Sequence, residues 1–268
     1  MYPSSESVAA VMEASREGKT ARLMELLEWN PTLANAKDDS SGLGGLAPLH
    51  WAAMNNRVEV VELLVRRGAS IDTTDCSELT PIHYAVEAGH NEVASSLLRL
   101  KASVDAKDQY DQTPLHTAAA SKLSRSGEAI RTLVSHGATL DARRADGFTP
   151  LCLAVYLGRE GAVSDLLMSG ADPRVEVKGA GNAFQIAERE HRARVGAVLR
   201  SWNQMRALDR DLGMLHMLRG QISLATSEDN DDTMRSGDRW DYAAQCRKYY
   251  AASRKFRRAF PDHQWNAR

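Results

Sequence analysis

A histidine occupies the same position in three copies of one short phrase, and a cysteine takes that position in a fourth. The copies read Ala47-Pro48-Leu49-His50, Thr80-Pro81-Ile82-His83, Thr113-Pro114-Leu115-His116 and Thr149-Pro150-Leu151-Cys152. An imidazole or thiol used as base or nucleophile needs a dedicated neighbour that activates it at one place. A residue returning with every copy of a phrase is distributed like a structural part, so His50, His83 and His116 are assigned to the scaffold. Cys152 stands in for the same part. Elsewhere no Gly-x-Ser-x-Gly, phosphate-binding glycine loop or His-Glu-x-x-His occurs. Asp209 and Asp211 flank Arg210 near His216, a spacing open to acid or metal chemistry, but it reads as a solvated helix face. The sequence therefore names no catalytic residue, cofactor or metal.

The elements that must position these residues follow from the spacing. The prolines lie 33, 33 and 36 residues apart, and a worn copy, Ala183-Phe184-Gln185-Ile186-Ala187, follows 33 after Pro150. A second series, Gly68-Ala69, Lys101-Ala102, Gly137-Ala138 and Gly170-Ala171, keeps the same step. Thr80 and Thr113 suit an N-cap, and each following proline suits the first helical position, where its missing N–H costs nothing. Gly18, Gly89 and Gly158 break the chain after a first helix. Second helices then show helical-period apolar residues, Val60, Val61, Leu63 and Leu64 in one and Val163, Leu166 and Leu167 in another. Gly68, Gly137 and Gly170 follow where a left-handed stop is wanted. The extra three residues before Pro150 are expected near Ser121–Gly127, and Gly42, Gly44 and Gly45 form a loose insert.

This pattern resembles the ankyrin-repeat family over about residues 5–202, since a period near 33 marks helical solenoids. The expected fold class is all-α: a solenoid of five to six helix pairs joined by hairpin loops, plus C-terminal helices. Residues 1–202 form the repeat domain, 203–225 a further helix on the last repeat, 226–239 an acidic linker and 240–268 a basic, aromatic helical segment. Ser7–Arg16 and Thr20–Trp29 read as the first helix pair.

The resemblance implies a histidine bonded back toward its threonine and onward to the next loop. It also implies binding through hairpin tips and a concave face of first helices. The matching positions are Met54, Asn55, Leu79, Glu87, Tyr110, Gln112, Ser121, Phe148 and Tyr156. Trp51 and Tyr84 occupy the slot after the histidine and are assigned to packing. Asn35, Asp72, Asp105 and Asp141 hold the hairpin position that ankyrin-directed hydroxylases modify, and the structural reading is preferred at all four.

The C-terminal segment carries its own signal. Arg247, Lys248, Arg254, Lys255, Arg257 and Arg258 lie among Tyr242, Cys246, Tyr249, Phe256 and Phe260 with no acid between them. Such a stripe suits an acidic partner, anionic lipid or nucleic acid, or a helix laid against the solenoid. Cys246 through His263 resembles the second half of a MYND-type zinc finger, by Tyr249-Tyr250, Ser253, Arg257 and Pro261-Asp262-His263. Cysteines that the pattern wants at Ala243, Ala252, Phe256 and near Ala267 are absent, and two donors do not make a zinc site. A finger that has lost its metal is the implication.

Composition excludes several classes. The formal net charge of −1 over 268 residues gives no global field toward nucleic acid or membrane. No apolar run reaches transmembrane length, and Met1–Glu6 lacks a secretory layout. Cys76, Cys152 and Cys246 are odd in number and widely spaced, which points to cytosol or nucleus. The function expected is a scaffold or adaptor, monomeric alone, that binds another protein. The alternatives are an unfamiliar enzyme with its site on the concave face or beneath the C-terminal segment, and nucleic-acid or lipid contact through the tail.

Overall fold

Each copy of the phrase starts a helix, because proline's fixed φ pre-shapes the first turn and a capping residue precedes it. The computed structural model describes residues 4–38, 44–123 and 126–207. It is helical, and among the described residues β-structure is confined to isolated bridges Asp38–Leu46 and Val177–Gly181. The chain divides into two units, Met1–Val195 and Gly196–Arg268.

The first unit is a stack of antiparallel helix pairs. They are α1 (Ser5–Glu17) with α2 (Thr20–Trp29), α3 (Pro48–Met54) with α4 (Val58–Arg66), and α5 (Pro81–Glu87) with α6 (Asn91–Arg99). Then come α7 (Pro114–Ala120) with α8 (Ser126–Ser135), α9 (Pro150–Leu157) with α10 (Glu160–Ser169), and α11 (Ala183–Arg189). A twelfth helix, α12, begins at 193 and runs to 207. It continues through 202 and 203, where the sequence reading drew a boundary, because no proline interrupts it. The acidic linker and the rest of the C-terminal segment lie outside the described residues.

Small and branched side chains seal the layers. Leu49, Ile82, Leu115 and Leu151, each following the proline, are fully buried, as are Ala52, Ala85, Ala118 and Ala154. Val61, Leu64, Val93, Leu97, Ile130, Leu133, Val163 and Leu166 bury the matching face of the outer helices. No pair could bury both faces alone, so neighbouring repeats complete one another's core.

The stops fall where the residue types demand. Gly18, Gly89 and Gly158 adopt φ of 83, 74 and 72° after inner helices. Gly68, Gly137 and Gly170 do the same after outer ones, where Lys101 reaches φ 75° without glycine's freedom. The 36-residue step is shared between two elements. The α7–α8 connection spans 121–125 where its two predecessors span three residues each, and α8 is one residue longer than α6.

Candidate functional site

The repeat phrase builds an ordered edge at the boundary between inner helices and hairpins. In α5, Nδ1 of His83 accepts the Thr80 N–H at 3.2 Å and contacts the Thr80 hydroxyl at 2.9 Å. His116 repeats both contacts with Thr113, at 3.2 and 3.0 Å. His50 accepts the Ala47 N–H at 3.0 Å. With Nδ1 an acceptor, the proton sits on Nε2, which donates into the next hairpin: His50 to the Leu79 carbonyl at 3.0 Å, His83 to Gln112 at 3.2 Å and His116 to Phe148 at 3.0 Å. All three rings are buried. Burial holds their pKa values down, that of His50 to about 4, against the opposing pull of the backbone acceptors. The scaffold assignment of the sequence reading describes these contacts.

Thr149 caps α9 through its hydroxyl, which accepts the Cys152 N–H at 3.2 Å. The buried Cys152 Sγ lies 4.0 Å from the Val175 carbonyl, and burial raises the thiol pKa. In the worn copy Asn182 accepts from the Phe184 and Gln185 N–H groups, and Gln185 Oε1 accepts the Asn182 N–H at 2.9 Å. Gln185 thus takes the capping half of the histidine's work.

The hairpin tips are closed in the same way throughout. Asp75, Asp108 and Arg144 donate their N–H to the carbonyls of Leu79, Gln112 and Phe148, each at 3.1 Å. Adjacent tips are tied by Cys76 N–H to Gly44, Gln109 N–H to Ser77 and Ala145 N–H to Tyr110. The buried Asp75 accepts from the Ser77 and Leu79 N–H groups and from the Tyr84 hydroxyl at 2.6 Å. Asp108 accepts from Tyr110 and Gln112. Tyr84 also stands edge-on to His50 with centroids 5.5 Å apart, which accounts for its packing assignment.

At the third tip Arg144 replaces the buried aspartate. It pairs with Asp146, reaches Gln112 Oε1 at 3.2 Å and lies 5.7 Å from the Phe148 ring centroid. Phe148 meets Tyr156 edge-on at 5.8 Å. Phe148 is half-buried, whereas Tyr156 is 41% and Tyr110 58% exposed.

The nine nominated residues therefore separate by what their polar groups already do. The Asn55 amide donates to the Trp51 carbonyl, Ser121 Oγ accepts the Leu123 N–H, and the Gln112 amide is engaged at both ends. Met54 and Leu79 are half-buried, and Glu87 is exposed. Tyr110, Tyr156 and Glu87 remain as exposed side chains, with the half-buried Phe148 between Arg144 and Tyr156.

A second ladder was missed in the sequence. Arg57, His90, Arg159 and Arg192 each donate a side-chain N–H to a carbonyl in the last turn of the preceding repeat's inner helix: Arg16, Met54, Ala120 and Tyr156, at 3.0–3.1 Å. Their spacing of 33, 69 and 33 residues keeps the repeat register, and that was the signal available. Asn35, Asp72, Asp105 and Asp141 accept N–H groups of Ser70, Ser103, Thr139 and Asp172 in the following repeat, which is their structural role. Burial raises the Asp141 pKa.

Arg247, Lys248, Arg254, Lys255, Arg257 and Arg258 lie outside the described residues, as do Cys246, His263, Asp209, Asp211 and His216. Among the described residues no group of three or more His, Cys, Asp or Glu is placed to hold a metal ion, and no helix is long and apolar enough to cross a membrane. A family model described as ankyrin repeats (3 copies) matches residues 11–108 and 98–177. No curated protein matches the chain.

Proposed function

The chain belongs to the ankyrin-repeat family, and from that premise we propose that it is a protein-binding scaffold whose contact surface is the edge carrying Tyr110, Phe148 and Tyr156. The observation that supports this reading is the exposure of two tyrosines on a main chain that is fixed on both sides by hydrogen bonds. Large aromatic side chains on an ordered frame are favoured anchors, because they bury much area and lose little freedom. Ankyrin repeats generally serve protein–protein interaction, so fold and edge point the same way.

The charge inventory narrows the partner's chemistry. Several cations along the hairpins are engaged: Lys37 with Thr73 and Thr74, Lys107 with Asp111, Arg143 with the Gly147 and Glu176 carbonyls, and Arg144 with Asp146. Lys101, Lys122 and Lys178 are exposed and join no ion pair among the described residues. Glu78 and Glu87 are exposed and join no ion pair among the described residues. A partner segment offering one apolar or aromatic side chain and a nearby lysine or arginine fits this edge, since cations also favour tyrosine faces.

Affinity capture comparing the unmodified chain with one carrying Tyr110→Ala, Phe148→Ala and Tyr156→Ala tests the reading. A specific partner is expected to be lost from the triple variant while the fold, followed by circular dichroism, persists. A partner retained in full by the folded triple variant sinks the proposal.

A further inference from the structure

Three hairpin residues, Phe148 of the binding edge among them, are held through their main chain by the buried imidazoles. Leu79, Gln112 and Phe148 are equivalent, each being the last hairpin residue before the next inner helix cap. Each gives its carbonyl to the Nε2–H of the histidine one repeat earlier, at 3.0–3.2 Å. The same ring takes an N–H at Nδ1. The ring therefore has one workable protonation state, because a second proton would set Nδ1–H against a backbone N–H.

We infer that His50, His83 and His116 are positioning residues for the hairpins that carry the binding edge, and that recognition through that edge depends on their remaining neutral. The inference rests on the edge being the binding surface. It also predicts a gradient along the chain. Beyond Phe148 the ring is replaced by Cys152, whose weak contact at 4.0 Å leaves the next hairpin outside this control.

The groups facing each ring are consistent with a neutral imidazole. Asp75 and Lys37 act on His50, Asp108 and Asp75 on His83, and Arg144, Asp146 and Asp108 on His116. Those aspartates are already engaged, Asp75 and Asp108 by hairpin N–H groups and Asp146 by Arg144. None is free to become a strong partner for an imidazolium, so burial prevails at all three rings. Acid removes the N–H acceptor at Nδ1 and with it the geometry that aims the next hairpin.

The test uses the full chain and 12-residue peptides selected from a phage library at pH 7.5. Probes are those whose binding is lost with Tyr110→Ala or Tyr156→Ala and weakened by Phe148→Ala. His116→Gln is the informative variant, because Gln185 already performs the capping half of this position in the worn copy. It keeps the N-cap bond and removes the titrating ring.

Affinity for such a probe is expected to fall about ten-fold in folded His116→Gln, as for loss of one positioning bond. Wild-type affinity should hold at pH 6.5 and fall only at lower pH, because burial lowers the pKa of all three folded rings, and His116→Gln should flatten that profile. A probe that depends on Leu79 and is indifferent to Phe148→Ala should respond to His50→Gln and ignore His116→Gln. Edge-dependent probes with flat pH profiles and unchanged affinity for His116→Gln overturn the inference alone. Failure to select any peptide that depends on Tyr110 or Tyr156 removes the edge reading and takes the inference with it.

Discussion

The hairpins stitched by histidine and the one behind Cys152 start their helices in nearly the same way and differ in what lies beyond the cap. Thr80, Thr113 and Thr149 all precede a proline, and all satisfy the first turn. His50, His83 and His116 then reach across to the next repeat, whereas Cys152 stops 4.0 Å short of Val175 and Gln185 turns back to its own cap. Capping is thus local to a repeat, and the imidazole rung belongs to the interface between repeats. In a solenoid these are separate contributions, the intrinsic stability of a unit and the coupling to its neighbour.

Deleting a rung offers the most forceful way to break this comparison. His83→Ala leaves the Thr80 N–H and the Gln112 carbonyl unpaired in a buried place and opens a cavity, a loss of about 3–4 kcal/mol in urea unfolding. Cys152→Ala removes a packed thiol with no strong bond and should cost about 1 kcal/mol. Equal losses would mean that the rung adds nothing beyond filled volume. The unfolding transition should also broaden for His83→Ala, because coupling between neighbours carries the cooperativity of a repeat array.

Acid probes the same rungs without mutation. The His50 pKa is about 4 in the folded chain against an ordinary 6.5, so the unfolded chain takes the proton first. Stability from this ring is complete above about pH 6.5 and declines as pH falls toward 4, by about 3 kcal/mol in total. His83 and His116, lowered by the same burial, act in the same direction. Asp141, whose pKa burial raises, works the other way and only softens the slope. Urea midpoints measured between pH 7 and 4.5 should drop steadily, and His50→Gln should remove part of the drop. Midpoints constant over that range would contradict neutral, buried rings.

Much of this architecture was legible in the sequence because it is periodic. The recurrence of the Thr-Pro phrase marked the inner helices α5, α7 and α9, and Ser7–Arg16 lies within the observed α1. The role of His50, His83 and His116 was readable too, since the same residue type returned at the same register. The donors Arg57, His90, Arg159 and Arg192 were hidden because their residue type changes while their geometry does not: a histidine and three arginines reach equivalent carbonyls. Arg144 was hidden for the opposite reason. It breaks the Asp75–Asp108 series, and its meaning emerges only once Gln112, Asp146 and Phe148 surround it. Tyr110 and Tyr156 were among the nine positions the resemblance implied for binding, and both are exposed, but the engagement of Asn55, Ser121 and Gln112 depends on hydrogen bonds that no spacing reveals.

The irregular repeat joins the two regions, and a smaller effect is expected there. Gly127 in α8 lies under Asp165 of α10, whose carboxylate pairs with Arg131 at 3.0 Å. A Cβ at 127 would approach Asp165 Oδ2 to 2.1 Å and Cγ to 2.9 Å. The carboxylate is buried while its partner Arg131 is exposed, and it can yield only by disturbing that ion pair. Alanine's better helix propensity returns less than 1 kcal/mol, so Gly127→Ala should lose about 2 kcal/mol net. Gly161, on the neighbouring helix, has open space at the corresponding atom. Gly161→Ala should therefore be neutral or stabilising in the same urea titration. Similar outcomes at both glycines would remove Asp165 as the cause.

The exposed aromatics should have the least effect on stability, which is what separates a binding edge from the rungs beneath it. Tyr110 is 58% exposed, and its backbone carbonyl rather than its ring ties it to Ala145. Tyr110→Ala keeps that bond and should change stability by less than about 0.5 kcal/mol. Tyr156 also supports Phe148 edge-on, so its replacement should cost about 1 kcal/mol. If the edge serves binding, Tyr110→Ala should nevertheless weaken capture of a partner at least as much as His116→Gln does. The two variants then reach a similar loss of affinity by different routes, one by removing a contact and the other by releasing the main chain that aims it. A van 't Hoff comparison of the two should show the release chiefly as added flexibility, since the hairpin regains freedom that binding must again remove. Loss of stability at Tyr110 comparable to that at His83 would make the tyrosine part of the frame, and the distinction between frame and edge would fail at the residue where it is most exposed.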